Sequence, residues 1–87
     1  MSKPVSPRYR QLYLYLEARK VESVELTIPE IEEILGHTLP KSAQISSWWA
    51  NDPLNGHTQA TAWISAGFRA SLKKGRLIFI RSHIDPH

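Results

Sequence analysis

The last third of the chain carries the pattern of a β-hairpin, and this feature restricts the possible folds more than any other. Two apolar-rich runs, residues 68–72 and 76–81, flank the basic sequence Lys73-Lys74-Gly75. Leu77 and Phe79 alternate with their neighbours, so we expect them to face a core. The spacing predicts two strands joined by a tight basic turn.

The length and the lack of cysteine limit what can surround this hairpin. The 87 residues favour one domain spanning 1–87, with an ordered core over about 6–81. Without cysteine, disulfides, thiol nucleophiles and cysteine-based zinc sites are excluded. No apolar run reaches membrane-spanning length and the start lacks the pattern of a secretory signal, so we expect a cytoplasmic protein with no membrane partner.

Four helices and a short strand are predicted before the hairpin. Tyr9, Leu12 and Leu16 have helical spacing, whereas Thr27 and Pro29 mark the start of a second helix. The predicted elements are a helix over about 6–19, a strand at 24–28, a helix over about 29–36, a helix from 43 to about 50 and a helix from about 57 to 66.

This order of elements predicts an α+β fold of the winged helix-turn-helix type: helix, strand, helix, helix, helix, β-hairpin. Winged-helix domains have one helix fewer, so the segment 42–50 is either an insertion before the last helix or the first part of a long helix–turn segment. In such domains the last helix before the hairpin enters the major groove of DNA, and the hairpin tip reaches flanking phosphate or the minor groove.

Positive charge is concentrated in the second half of the chain. The net charge is +3, but residues 1–40 contain five basic and six acidic residues, a net of −1. Residues 41–81 contain six basic residues against Asp52 alone, a net of +5. Such an asymmetry is typical of a surface that faces phosphate groups.

Two segments of this basic half carry residue types that contact duplex DNA. The helix from about 57 begins with His57, Thr58 and Gln59, and threonine and glutamine side chains can hydrogen-bond base edges. Four cations in the hairpin are candidates for contacts to the DNA backbone or groove: Arg69, Lys73, Lys74 and Arg76. A solvated helix face and a basic turn that discourages aggregation would give the same pattern, but the order of the elements favours DNA binding.

The adjacent tryptophans Trp48 and Trp49 are the most unusual residues. Neighbouring side chains on a helix point about 100° apart, so we expect one ring in the core and the other at a surface or pocket. A flat exposed ring could stack on a base or enclose a methyl group. Alternatively, both rings fill the core together with Trp63. Asn51, which follows the pair, either presents a polar edge that contacts a base or braces a loop, or it ends a helix.

No constellation of catalytic or metal-binding residues is recognisable. The four histidines are scattered without the spacing of metal ligands, and the serines have no histidine–aspartate arrangement beside them. A glycine-rich phosphate loop is absent as well. We therefore expect a protein that is not an enzyme by itself and that uses neither a cofactor nor a metal.

Several motifs resemble those of a small prokaryotic domain family whose members occur alone or fused to HNH-type nucleases. The motifs are LPxSA at 39–43, WWxND at 48–52 and AWxxAG at 62–67, and the similarity extends from about Tyr9 to Arg81. The resemblance implies a winged-helix DNA-binding fold and, as a further role, recognition of N6-methyladenine in duplex DNA. It then makes Trp48, Trp49 and Asn51 candidates for the pocket of the modified base.

Two functional hypotheses follow. The first is a DNA-binding module, a stand-alone reader or regulator whose partner is double-stranded DNA, with adenine methylation as a candidate signal. The second is a protein-interaction module that uses the tryptophan pair as an exposed anchor and binds no nucleic acid.

Overall fold

In a computed structural model, which describes residues 5–52 and 58–82, these segments form an α+β structure with three α-helices and a three-stranded sheet. In chain order the elements are α1 (Arg10–Glu17), β1 (Ser23–Thr27), α2 (Ile28–Leu35), α3 (Ala60–Ser65), β2 (Phe68–Lys73) and β3 (Arg76–Arg81). Three short 3₁₀-helices accompany them: Pro7–Tyr9, Lys41–Gln44 and Ser46–Trp49. The last two are called the 3₁₀ pair below.

The sheet is antiparallel and has the strand order β1-β3-β2. Phe79 lies between Val24 on β1 and Ala70 on β2. Leu77, two residues earlier on β3, lies on the same inner face. Leu77 and Phe79 are fully buried, as their alternation predicts. The opposite, outer face of the sheet therefore presents the intervening residues.

The turn of the hairpin requires a left-handed backbone at both of its residues. Lys74 and Gly75 connect β2 to β3 and both have positive φ, 51° and 76°. A two-residue turn with two positive φ angles fits the right-handed twist of the flanking strands. The predicted tight basic turn is confirmed, and Lys74 occupies a backbone conformation that asparagine or glycine would adopt more easily.

Helix α2 begins at a capping box. The backbone N–H of Glu30 donates to the Thr27 hydroxyl at 3.3 Å, and the Thr27 N–H donates to the Glu30 carboxylate at 2.8 Å. Hydrogen bonds from the Thr27 N–H and then from its hydroxyl lower the pKa of Glu30; burial opposes them, and the Arg76 charge adds a lesser lowering. The predicted second helix is confirmed, although it starts at Ile28 and so places Pro29 in its second position.

The core lies between the helices and the inner face of the sheet. Its largest fully buried side chains are aromatic: Trp49, Trp63, Phe68 and Phe79. Leu12 and Leu16 of α1 and Ile31 of α2 complete it. Burial of these residues accounts for the apolar spacing of the first and second helices.

The predicted helix from 43 to about 50 is wrong, because this stretch forms the 3₁₀ pair. Ile45, between the two 3₁₀-helices, has extended backbone angles of −108° and 133°. The Trp49 indole N–H donates to the Ala43 carbonyl at 2.9 Å. In an α-helix that carbonyl would accept the backbone N–H four residues later, so the indole replaces a helical hydrogen bond.

The first and last predicted helices are longer than those observed. The first starts as a 3₁₀ turn and is α-helical only from Arg10 to Glu17. Helix α3 begins at Ala60 rather than near 57, because Thr58 and Gln59 form a turn. Across residues 5–52 and 58–82, none of the helices has the length and apolar character to cross a bilayer.

Candidate nucleic-acid interface

The hairpin carries a group of exposed cations. Lys73 ends β2, Arg76 begins β3 opposite it, and Lys74 lies in the turn between them. Arg69 lies four residues before Lys73 on the same strand and therefore on the same face. All four side chains are exposed. We call Arg69, Lys73, Lys74 and Arg76 the hairpin cations.

Two acids partly balance this charge: Glu25, which pairs with Arg76, and Glu30, whose pKa is lowered by Thr27 and, to a lesser degree, by the Arg76 charge. The Arg76 Nη1 atom lies 3.2 Å from the Glu25 Oε2 atom, and the two side chains are 60% and 52% exposed. An exposed ion pair of this kind contributes little to stability and is easily exchanged. The outer face of the sheet thus keeps a positive balance at the hairpin end.

Gln59 does not lie where a base-contacting residue would. It is only 6% exposed, and its Nε2 atom donates to the Trp48 carbonyl at 2.7 Å. The prediction that Gln59 contacts a base edge is therefore wrong for this conformation, because its amide is used to close the fold. The prediction placed Gln59 in the first turn of an exposed helix, but the observed helix α3 begins one residue after it, at Ala60.

Thr58 and His57 are the other two residues that were predicted to contact DNA from the start of that helix. Thr58 is exposed, and its carbonyl accepts the hydroxyl of Thr61 at 2.6 Å. His57 lies outside the described residues. The helix itself is buried along most of its length, from Ala60 to Trp63. A helix with so little exposed surface cannot present a row of side chains to a groove.

Of the two adjacent tryptophans, one is buried and the other is partly exposed, as the first of the two interpretations predicts. Trp49 is 2% exposed and contacts Trp63, with ring centroids 5.3 Å apart. Trp48 is half-buried, and its ring meets that of Tyr9 edge-on at 5.9 Å. Of the two rings, Trp48 is the one with a surface to offer a ligand.

Asn51 has a structural role that spacing could not show. Its Oδ1 atom accepts the Trp63 indole N–H and the Ala70 backbone N–H, both at 2.8 Å, and its Nδ2 atom donates to the Ala70 carbonyl at 3.1 Å. These contacts join the connection after the 3₁₀ pair to α3 and to β2. The predicted pocket of Trp48, Trp49 and Asn51 is not formed, because Trp49 is buried and Asn51, although only half-buried, uses its polar atoms within the fold.

One exposed segment was missed by sequence reasoning. In the 3₁₀ pair and Ile45 between its halves, most side chains are exposed: Lys41, Ser42, Gln44, Ile45, Ser46 and Ser47. Ile45 is 60% exposed, more than any other large hydrophobic side chain in the described residues. A single apolar residue in a run of serine and glutamine was the available signal, and the expectation of a helix hid it.

Titratable side chains form no metal site within residues 5–52 and 58–82: no group of three or more carboxylates and histidines is close enough to hold an ion. A shallow hollow of about 380 Å³ lies between α1, β1 and α2, lined by Tyr15, Leu26, Glu30, Glu33 and Ile34. Its acidic rim is unsuited to an anionic ligand.

The chain belongs to the family described as a domain of unknown function, DUF7662, whose model matches residues 9–82. No curated protein and no solved structure matches the chain.

Proposed function

We propose that this protein is a winged-helix module that binds duplex DNA through the hairpin cations. The observation that carries the proposal is the exposed cationic hairpin between β2 and β3, in a fold ordered α1-β1-α2-α3-β2-β3 with β3 central. Winged-helix domains present the tip of such a hairpin to DNA phosphates or to the minor groove.

The electrostatics support a polyanionic partner at this end of the sheet. Lys73, Lys74 and Arg76 stand within four consecutive positions around a rigid two-residue turn, so their charges are held together. Each phosphate that a cation neutralises releases condensed counterions, which drives binding and makes it dependent on salt.

The proposal includes N6-methyladenine in the duplex as a candidate signal that the protein recognises. Trp48 and Asn51 are both half-buried and retain exposed surface, whereas Trp49 is buried, so Trp48 is the aromatic member of the predicted pocket that a ligand can reach. The resemblance to domains that occur alone or with HNH-type nucleases supports a role as a DNA reader or regulator. The second hypothesis, a protein-interaction module, has lost its exposed tryptophan pair because Trp49 is buried, and we do not propose it.

The test replaces Lys74 with asparagine and measures affinity for duplex DNA over a salt series. Asparagine suits the positive φ of this position, so the charge is removed without strain in the turn. We expect Lys74→Asn to weaken binding several-fold across unrelated sequences and to reduce the salt slope by about 1. Its melting temperature should equal or exceed that of the wild type.

Lys20→Asn is the matched control. Lys20 is exposed and precedes β1, whose first residue, Ser23, pairs with Ile80 at the end of the sheet away from the turn. This variant should bind as the wild type does. Absence of duplex binding at low salt, or an equal loss in both variants, contradicts the proposal. One duplex with and without N6-methyladenine shows whether the modification changes affinity.

A further inference from the structure

The proposed function leaves open which part of the molecule contacts base edges, since the hairpin cations recognise the DNA backbone. Helix α3 is the expected element, but Ala60, Thr61, Ala62 and Trp63 are buried, Ile64 is partly buried and only Ser65 is exposed. Its six residues span about 9 Å. Helix α3 therefore serves mainly as core.

Resting on the proposed function, we infer that the base-contacting element is the 3₁₀ pair with Ile45 at its centre. In this inference Gln44, Ile45, Ser46 and Ser47 meet base edges in the major groove of duplex DNA. The four side chains are exposed, and they are contiguous in the chain.

The segment is held rigidly from the inside. Ala43 is fully buried beneath it, and the Ala43 carbonyl accepts the indole N–H of Trp49. The Trp48 carbonyl accepts the amide of Gln59, and Asn51 joins the end of the segment to β2. Backbone turns close both 3₁₀-helices, so the exposed side chains project from a fixed support. Such a support limits the conformational entropy lost when a ligand binds.

The exposed residue types match what base edges offer. A glutamine amide can form two hydrogen bonds with adenine, and a small apolar group can contact the thymine methyl. Serine hydroxyls can donate to phosphate or to bases. Ile45 is 60% exposed among polar neighbours, so it forms no extended apolar patch of the kind that marks a protein interface.

The charge and the position of the segment fit the same ligand. Residues 36–51 contain Lys41 and no acidic residue, although the Glu32 carboxylate borders them and accepts the Leu39 N–H at 2.8 Å. Asn51 binds the backbone of Ala70, and Lys73 follows three residues along the same strand, a distance of about 10 Å. The second 3₁₀-helix, Ser46–Trp49, packs against β2, the strand that also carries Arg69 and Lys73.

The experiment is a selection from a randomised duplex library, followed by affinity measurements on an enriched and a scrambled duplex. The test variant is Gln44→Ala combined with Ile45→Ala. Its matched control is Gln11→Ala combined with Val21→Ala, which removes an exposed glutamine and an exposed apolar residue outside the 3₁₀ pair.

We expect the test variant to lose about tenfold or more in discrimination between the two duplexes, since one well-formed bidentate contact supplies that much. Its affinity for the scrambled duplex and its salt slope should stay within twofold of the wild type, and the control should retain discrimination. The inference is overturned if the test variant still discriminates between the two duplexes, or if the wild type enriches no sequence. In the first case the exposed 3₁₀ pair would be available to a protein partner instead.

These outcomes are distinct from failure of the proposed function. If the wild type binds all duplexes equally and Lys74→Asn weakens that binding, the hairpin proposal stands and the base-contacting role of the 3₁₀ pair is refuted. If the wild type binds no duplex at all, both proposals fail together. Circular dichroism spectra of each variant, compared with that of the wild type, distinguish a loss of discrimination from a loss of folding.

Discussion

The tryptophan–asparagine cluster and the cationic hairpin are the two most distinctive parts of the sequence, and the structure uses them in opposite ways. Trp49, Asn51 and Trp63 form hydrogen bonds or ring contacts within the fold. Lys73, at the end of β2, and Lys74, in the turn that follows, are exposed to solvent. Rare residue types at fixed spacing therefore mark the architecture here, whereas common charged residues mark the surface available to a partner.

The difference follows from what each residue type costs to bury. An indole loses its hydration cheaply and needs one acceptor, which Ala43 or Asn51 supplies. An ammonium group loses far more and must remain in water or meet an opposite charge. The contrast predicts that changes in the cluster alter stability, whereas changes in the hairpin alter binding.

Trp49→Ala should have the largest effect on stability. Removing a fully buried indole leaves a cavity and also frees the Ala43 carbonyl, so we expect a loss of about 3–5 kcal/mol in the free energy of unfolding. Urea denaturation measures it, and Trp48→Ala serves as the control because that ring is half-buried. An equal or greater loss for Trp48→Ala would break the comparison.

Asn51→Ala should follow, with a loss of about 1–3 kcal/mol. The substitution leaves the Trp63 indole N–H and the Ala70 N–H without their acceptor. Asn51→Asp keeps that acceptor and loses the donor to the Ala70 carbonyl, so it should also destabilise the fold. A variant with unchanged stability but altered preference for methylated DNA would instead restore Asn51 as a ligand-binding residue.

Glu30→Ala should have the smallest effect, and that effect should depend on pH. The folded-state pKa of Glu30 is lowered, so its contribution is present above the ordinary glutamate pKa of about 4.3 and is lost as the pH falls through the lowered value. The difference in stability between wild type and variant should therefore shrink on acidification from neutral pH. Glu33→Ala, on the exposed side of the same helix, is the control; a pH-independent difference for Glu30→Ala would contradict the capping role.

Local signals in the sequence predicted what local chemistry determines. The turn at Lys74-Gly75 and the alternation of Leu77 and Phe79 needed only neighbouring residues, and both predictions are confirmed. The capping box of α2 required a threonine three residues before a glutamate, which the chain supplies. The α+β class follows from these elements alone.

The rest depended on contacts between distant segments. Gln59 and Asn51 are polar residues that spacing places equally well on a surface, and their internal partners, Trp48 and Ala70, lie 11 and 19 residues away in the chain. The 3₁₀ pair replaces a helix because Trp49 bonds back to Ala43. Pairings of this kind leave no periodic trace in a sequence.

The bond between Asn51 and Ala70 has a further consequence for how the molecule behaves among its own copies. Strand β2 lies at one edge of the sheet, and an unprotected edge is a template on which a strand from another chain can add. The Asn51 amide occupies both the N–H and the carbonyl of Ala70, near the middle of this edge. A growing aggregate would have to displace that side chain before β2 could pair along its full length, so one asparagine protects the β2 edge against templated assembly.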